Sequence, residues 1–238
     1  AVDLMDIAIT GSPSWTNAGN AWVGDALGNG SLITTNRTTP ADQTATGTAS
    51  FSWSTHGWTS RVPLPQDNVV INNAFSASQT ITADIPRLGA NIDFTGCTGS
   101  PTLTLSVAVS VYGNLTLVTA MSLSGFFTVS LVGRGSQTLT SSGRVFPAAV
   151  TINAVGGGYT LQDALSSGTN SGQTVASGYL TTNNFAVTGT SFNVSSGATV
   201  TLGTSTLTNT TAGAVTMFSI NSGATVSAAS ATFVVSVV

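Results

Sequence analysis

A stretch of this chain occurs twice. Val194-Ser-Ser-Gly-Ala-Thr-Val-Thr-Leu202 aligns with Ile220-Asn-Ser-Gly-Ala-Thr-Val-Ser-Ala228, 26 residues on, and Ser196 to Val200 is identical to Ser222 to Val226. The match extends outward: Phe192 falls on Phe218, and Thr206-Leu207 on Thr232-Phe233. A period in the twenties is the size of one coil of a β-solenoid. If the coils stack, Val200 and Val226 lie one above the other on the same face.

Short alternating segments recur along the chain. They include Val69-Val-Ile71, Ile81 to Ile85, Ile92-Asp-Phe94, Leu103-Thr-Leu105, Val107 to Val111, Val129-Ser-Leu131 and Val150-Thr-Ile152. Each has the two-residue period of a half-buried strand, and Gly, Asn, Ser or Asp usually follows within a few positions. A weaker echo links Gly113-Asn-Leu-Thr116 with Gly178-Tyr-Leu-Thr181. Short strands suffice in a solenoid because each coil is hydrogen-bonded above and below. From Gln66 to Val238 there is room for about seven coils, a rod of about 35 Å. The expectation is therefore an all-β, right-handed parallel β-solenoid over 61–238. An antiparallel β-sandwich or jelly roll is the alternative, since it too has many short strands.

Residues 1–60 read as an N-terminal arm and an aromatic-rich cap. They hold all four tryptophans, Trp15, Trp22, Trp53 and Trp58, and the only histidine, His56. An exposed solenoid end carries open strand edges that invite aggregation, and aromatic bulk can cover one. A sugar-stacking platform is the other reading of these rings.

Composition sharpens the exclusions. Glu and Lys are absent, so solvent-facing helices lose two of their usual residues. Ser and Thr number 71 of 238, and the net charge is −3. A hydroxyl-covered, weakly charged surface opposes self-association poorly. Without a basic patch, nucleic-acid binding is not expected. No apolar run reaches transmembrane length, so no membrane span is expected. No secretory signal pattern opens the sequence, so any export signal is taken as missing or already removed. The single cysteine, Cys97, has no intrachain disulfide partner and reads as a small buried or turn residue.

Groups that could carry chemistry are few. Glycoside hydrolysis needs two carboxyl groups at a set separation, and Asp84 with Asp93 is the nearest pairing in sequence. Asp67 after its Pro-rich stretch and Asp163 before a Ser/Gly segment fit turn and cap roles better. His56 stands alone, without a triad or a Gly-x-Ser-x-Gly elbow. No cluster has metal-ligand spacing, and no cofactor is implied. Gly156-Gly-Gly158 lacks the following helix and Lys of a phosphate loop, so it reads as a tight corner. Glycosylation sequons at Asn29, Asn36, Asn114, Asn193 and Asn209 are as many as so Ser/Thr-rich a chain yields by chance. The chain is expected not to be an enzyme.

The stretch Trp58 to Leu165 carries a resemblance. Val62-Pro-Leu-Pro-Gln-Asp-Asn-Val-Val-Ile71, Ile92-Asp-Phe-Thr-Gly96, Val111-Tyr-Gly-Asn-Leu-Thr-Leu117 and Gly156-Gly-Gly-Tyr-Thr-Leu-Gln-Asp-Ala-Leu165 occur in that order. Together they resemble β-solenoid structural proteins of tailed bacteriophages and of bacterial surface-protein genes. The resemblance covers about residues 53–210 and implies architecture more than activity. It implies a virion component, either a capsid decoration protein or part of a tail fibre or appendage. A secreted surface adhesin or matrix protein, extracellular or on the bacterial cell surface, is the alternative. It also implies assembly, with a homotrimer preferred, contacts to other virion or surface proteins, and cell-surface glycans as a further candidate partner. The apolar, uncharged run Ala231 to Val238 calls for a cover, either another subunit or a further domain of a longer chain. Candidate assembly or surface contacts are Trp15, Trp22, Trp53, Trp58, Phe233, Val234, Val235, Val237 and Val238.

Overall fold

A computed structural model describes residues 40–45, 47–72, 74–75, 79–168, 171–210 and 218–235. Among them the regular structure is entirely β, in short strands. Every strand pair runs parallel, which excludes the sandwich and jelly roll. The chain is a parallel β-solenoid of about 8 turns. At about 4.8 Å per turn it forms a rod of about 38 Å.

Each full coil passes through three strand positions in a fixed order. Thr102–Leu105, Val109–Val111 and Leu115–Thr116 are one such trio. The first position forms a 4-stranded ladder near the start of the rod and a 5-stranded ladder further on. The second and third positions belong to one 14-stranded sheet. They merge because Val150–Leu161 and Gln173–Thr181 each run on through the corner between them, their pairing shifting register between Ile152 and Gly158. Gly178 makes that corner possible. Its φ is +75, and a Cβ there would lie 2.1 Å from the Ala154 carbonyl oxygen.

The third position shows how coil length varies. Gln43 pairs with Val69, then Val69 with Ile92, Ile92 with Leu115, Leu115 with Leu139 and Leu139 with Leu161. Beyond these, Tyr159 pairs with Leu180, Leu180 with Val200 and Val200 with Val226. Steps range from 20 residues (Leu180 to Val200) to 26 (Val200 to Val226). Seven turns follow Val69, matching the expected number. The eighth joins Gln43 to Val69, so parallel pairing begins inside the segment read as cap.

The repeat predicted the stacking correctly. Val200 lies against Val226, Phe192 against Phe218, and Thr206-Leu207 against Thr232-Phe233. The weaker echo is out of column by two residues. Leu115 belongs to the Leu139 and Leu161 column, whereas Leu180 lies against Tyr159.

The core is a bundle of such columns. Val109, Val129 and Val150 stack at the second position, as do Val111, Leu131, Ile152, Val175 and Val194. All eight are almost fully buried. Burying each aliphatic side chain of this size contributes about 1.5–3 kcal/mol. Alternation puts the intervening residues outside. Ser110, Ser130, Thr151, Thr174 and Asn193 form the matching outer column. The Ser/Thr richness of the sequence is thus the outer half of the period-two pattern.

Candidate functional surfaces

The carboxylates are the first groups to place. Asp67 is fully buried and forms an ion pair with Arg61. Arg61 Nε donates to its Oδ2 at 2.8 Å, and Arg61 Nη2 donates to its Oδ1. The backbone N–H groups of Leu64 and Ala41 complete the set, both at 2.9 Å. One carboxylate therefore closes its own Leu64–Asp67 turn and holds a residue 26 positions earlier.

Asp84 accepts from the backbone N–H of Ser54 at 2.9 Å and from the Ser54 hydroxyl, tying the first coil to the second. Asp163 accepts from the N–H groups of Ser141 and Ser142, one coil earlier. Asp93 accepts from Thr95 N–H at 2.8 Å, two residues away in its own coil. Asp84 and Asp93 engage separate partners at different strand positions. The turn and cap roles read for Asp67 and Asp163 are the ones the structure gives them.

A second polar device escaped the sequence reading. Asn68 donates its side-chain amide to Asp42, and Asn91 donates to Asn68 at 2.7 Å. The Asn91 side-chain oxygen accepts from Asn114 N–H, and the Asn114 side-chain oxygen accepts from Thr138 N–H. This ladder climbs five successive coils just ahead of the third strand position. Its signal was present in the sequence as Asn68-Val, Asn91-Ile and Asn114-Leu at even spacing. Asn114, met there only as a sequon, is a rung of it. Tyr159 is another interior anchor. Its hydroxyl accepts from Gly133 N–H at 3.1 Å and lies 3.0 Å from the Gly113 carbonyl, and burial pushes its pKa up to about 12.

Trp53 and Trp58 face inward. Trp53 is 0% exposed, and its backbone N–H donates to the Thr82 carbonyl in the next coil. Trp58 Nε1 donates to the Trp53 carbonyl at 2.9 Å, and the two rings are 5.0 Å apart. Neither indole is available as a surface contact or a sugar platform. Trp15, Trp22, Val237 and Val238 lie outside the described residues. Phe233 and Val235 are each 47% exposed, and Val234 is half-buried. Cys97 is buried, as expected of a small core residue, and burial raises its thiol pKa.

His56 stacks on Phe51, ring centres 3.9 Å apart, with the edge of Trp58 against both. Burial lowers its pKa, favouring the neutral imidazole. Beside it runs an open groove of about 450 Å³, with Ser52, Thr80 and Thr82 among its lining and Thr55 and His56 at the rim. No carboxylate lines it. The groove can offer hydroxyl hydrogen bonds, and among the described residues that line it there is no acid.

Exposed apolar side chains concentrate in two other places. Phe126 is 94% exposed and Phe127 44%, in the corner after Ser122–Gly125. The sequence signal was a Phe pair directly after a Gly, breaking the alternation. The second place is the last described coil, with Ile220 56% exposed beside Phe233 and Val235. Among the described residues no group of His, Cys or acidic side chains has metal-binding proximity, and no helix is long and apolar enough to cross a membrane. Compared with protein-family models, curated proteins and solved structures, the chain matches none.

Proposed function

We propose that this chain is a non-catalytic structural component of a tailed-bacteriophage virion, a rigid solenoid element of a capsid decoration or of a fibre-like appendage. The observation that carries the structural reading is the use made of the acids. Asp42, Asp67, Asp84 and Asp163 each bond to a residue about one coil away. A carboxylate held by backbone and side-chain donors is a fastener between coils and is poorly placed to donate or accept a proton in catalysis. The virion setting rests on the resemblance of the Trp58–Leu165 stretch.

Mass spectrometry of density-purified particles tests the setting. Recovery of the chain at stoichiometric level in particles supports it. Recovery only in envelope or culture-medium fractions favours the surface adhesin, for which the hydroxyl-lined groove beside His56 is the natural glycan contact. The non-catalytic reading is tested separately. No cleavage of bacterial polysaccharides is expected, and an activity that disappears in the Asp84→Asn, Asp93→Asn double variant overturns it.

A further inference from the structure

The first strand position of the early coils carries a grid of hydroxyls. Thr80-Ile-Thr82, Thr102-Leu-Thr104 and Ser122-Leu-Ser124 stack in register. Their hydroxyl residues face outward, half-buried or exposed, while Ile81 and Leu103 are buried. One column runs Ser52, Thr82, Thr104, Ser124, and the other runs Thr80, Thr102, Ser122. Rungs lie about 4.8 Å apart, and the columns about 6.6 Å apart. Ser52, Thr80 and Thr82 also line the groove beside His56, so the groove opens onto the grid. At the far rung the exposed Phe126 and Phe127 follow Gly125, the last residue of its strand.

The grid is unspent. Among the described residues the side-chain hydroxyls of Ser52, Thr80, Thr82, Thr102 and Ser122 bond to no protein group. Thr104 and Ser124 bond to each other at 2.8 Å. A serine or threonine hydroxyl both donates and accepts, and so does the hydroxyl of a sugar. A pyranose has hydroxyls around its rim and C–H groups on its faces. The rim suits the grid, and a face suits the phenyl ring, whose apolar area stays in water until something covers it.

We infer that this strip binds an extended, neutral, β-linked glycan lying along the rod axis, from the groove to Phe126. The columns are straight and evenly spaced, so a ribbon-like chain meets the same hydroxyl pair at each rung. From Ser52 to Ser124 the strip covers about 14 Å. Neutrality follows from the lining: none of these residues is charged, and Asp84, two residues past Thr82, is held by Ser54. An acidic sugar finds no cation on the grid. The inference builds on the groove contact named above for the adhesin reading, but the strip serves a virion component equally well. Particle recovery decides the setting and leaves the strip untouched.

Titration calorimetry on the full chain tests it, with cellopentaose and chitopentaose as extended neutral probes up to about 5 mM. Saturable binding of at least one is expected. Maltopentaose, which curves, and tetragalacturonate, which is acidic, should bind at least about fivefold more weakly. Phe126→Ala and Thr82→Val should each weaken the bound probe about threefold to tenfold. Thr151→Val, on the outer column of the second strand position, should leave it unchanged. Amide shifts of the unmutated chain give a second measurement that needs no variant to fold. On adding the bound probe they should move within 80–83, 102–105 and 122–127 and stay fixed within 192–209. No binding of either neutral probe overturns the inference. So does equal or tighter binding of tetragalacturonate or maltopentaose, binding indifferent to both Phe126→Ala and Thr82→Val, or shifts confined to other coils.

Discussion

At the first coil Gln43, Trp53 and Asp67 are sealed from solvent; at the last coil Phe233 and Val235 are each 47% exposed. Both coils have a single described neighbour along the rod, yet they are built from different residues. The first uses two indoles, a stacked imidazole and phenyl, and a buried ion pair, groups found together nowhere else in the described chain. The last uses the Thr, Val and Phe set of an interior coil, in nearly the same order as its neighbour. A solenoid column is satisfied only when covered on both sides. A coil made of interior-type residues leaves an edge that a further coil can cover, whereas one closed by bulky aromatics does not.

The sharpest way to test the closed end is Asp67→Ala. Removing one partner of a buried ion pair strands the other, at a cost of about 3–5 kcal/mol. Here it also leaves the Ala41 and Leu64 N–H groups without an acceptor. Urea denaturation should show a loss of that size. A change under about 1 kcal/mol would remove the ion pair from the account of this end.

Trp58→Ala comes next, with an expected loss of about 3 kcal/mol from the emptied volume and the lost bond to the Trp53 carbonyl. Trp53→Phe should be milder than its burial suggests, because the buried Trp53 Nε1 has no hydrogen-bond partner. Thermal melts of the two variants would separate packing from hydrogen bonding. The open end should behave differently. Phe233→Ala should cost about 1 kcal/mol or less, since the ring is only half-buried. Equal losses for Trp58→Ala and Phe233→Ala would erase the contrast between the ends.

The smallest expected effect belongs to His56. Burial holds its folded pKa below the ordinary imidazole value of 6.5. The unfolded chain therefore binds this proton more readily. The associated stability is fully present above pH 6.5 and is lost as pH falls through the folded pKa. Melting midpoints of the wild type should decline slightly more than those of His56→Gln between about pH 7 and pH 5. Parallel declines would place the imidazole outside the closing cluster's energetics.

Much of the architecture was legible because a stacked coil writes its register into the sequence. Two adjacent coils of equal residue content, 194–202 and 220–228, align by eye, and the pairing of Val200 with Val226 follows. The echo between Gly113–Thr116 and Gly178–Thr181 misled because three coil steps of unequal length separate them. Each corner adds or removes residues, and the accumulated shift moved Leu180 onto Tyr159. The hydrogen-bonded Asp42, Asn68, Asn91 and Asn114 column was missed for a related reason. A ladder between coils is visible only once the register is known, and a single Asn before an apolar residue carries no local sign of it.

By itself the sequence determined the strand-forming alternation, the coil size and the hydroxyl-covered exterior, all of which depend on neighbours within a few residues or on one direct repeat. Only the tertiary structure decided which way the aromatics face. Trp53 and Trp58 look the same in sequence whether they plug an end or decorate a surface, because an indole suits both. What holds them inward is the register of Trp53 on Thr82 and the Trp53 carbonyl offered to Trp58 Nε1. Which acids became fasteners was decided in the same way. The donors that hold Asp67, Asp84 and Asp163 include residues more than twenty positions away, and stacking alone brings them within bonding distance.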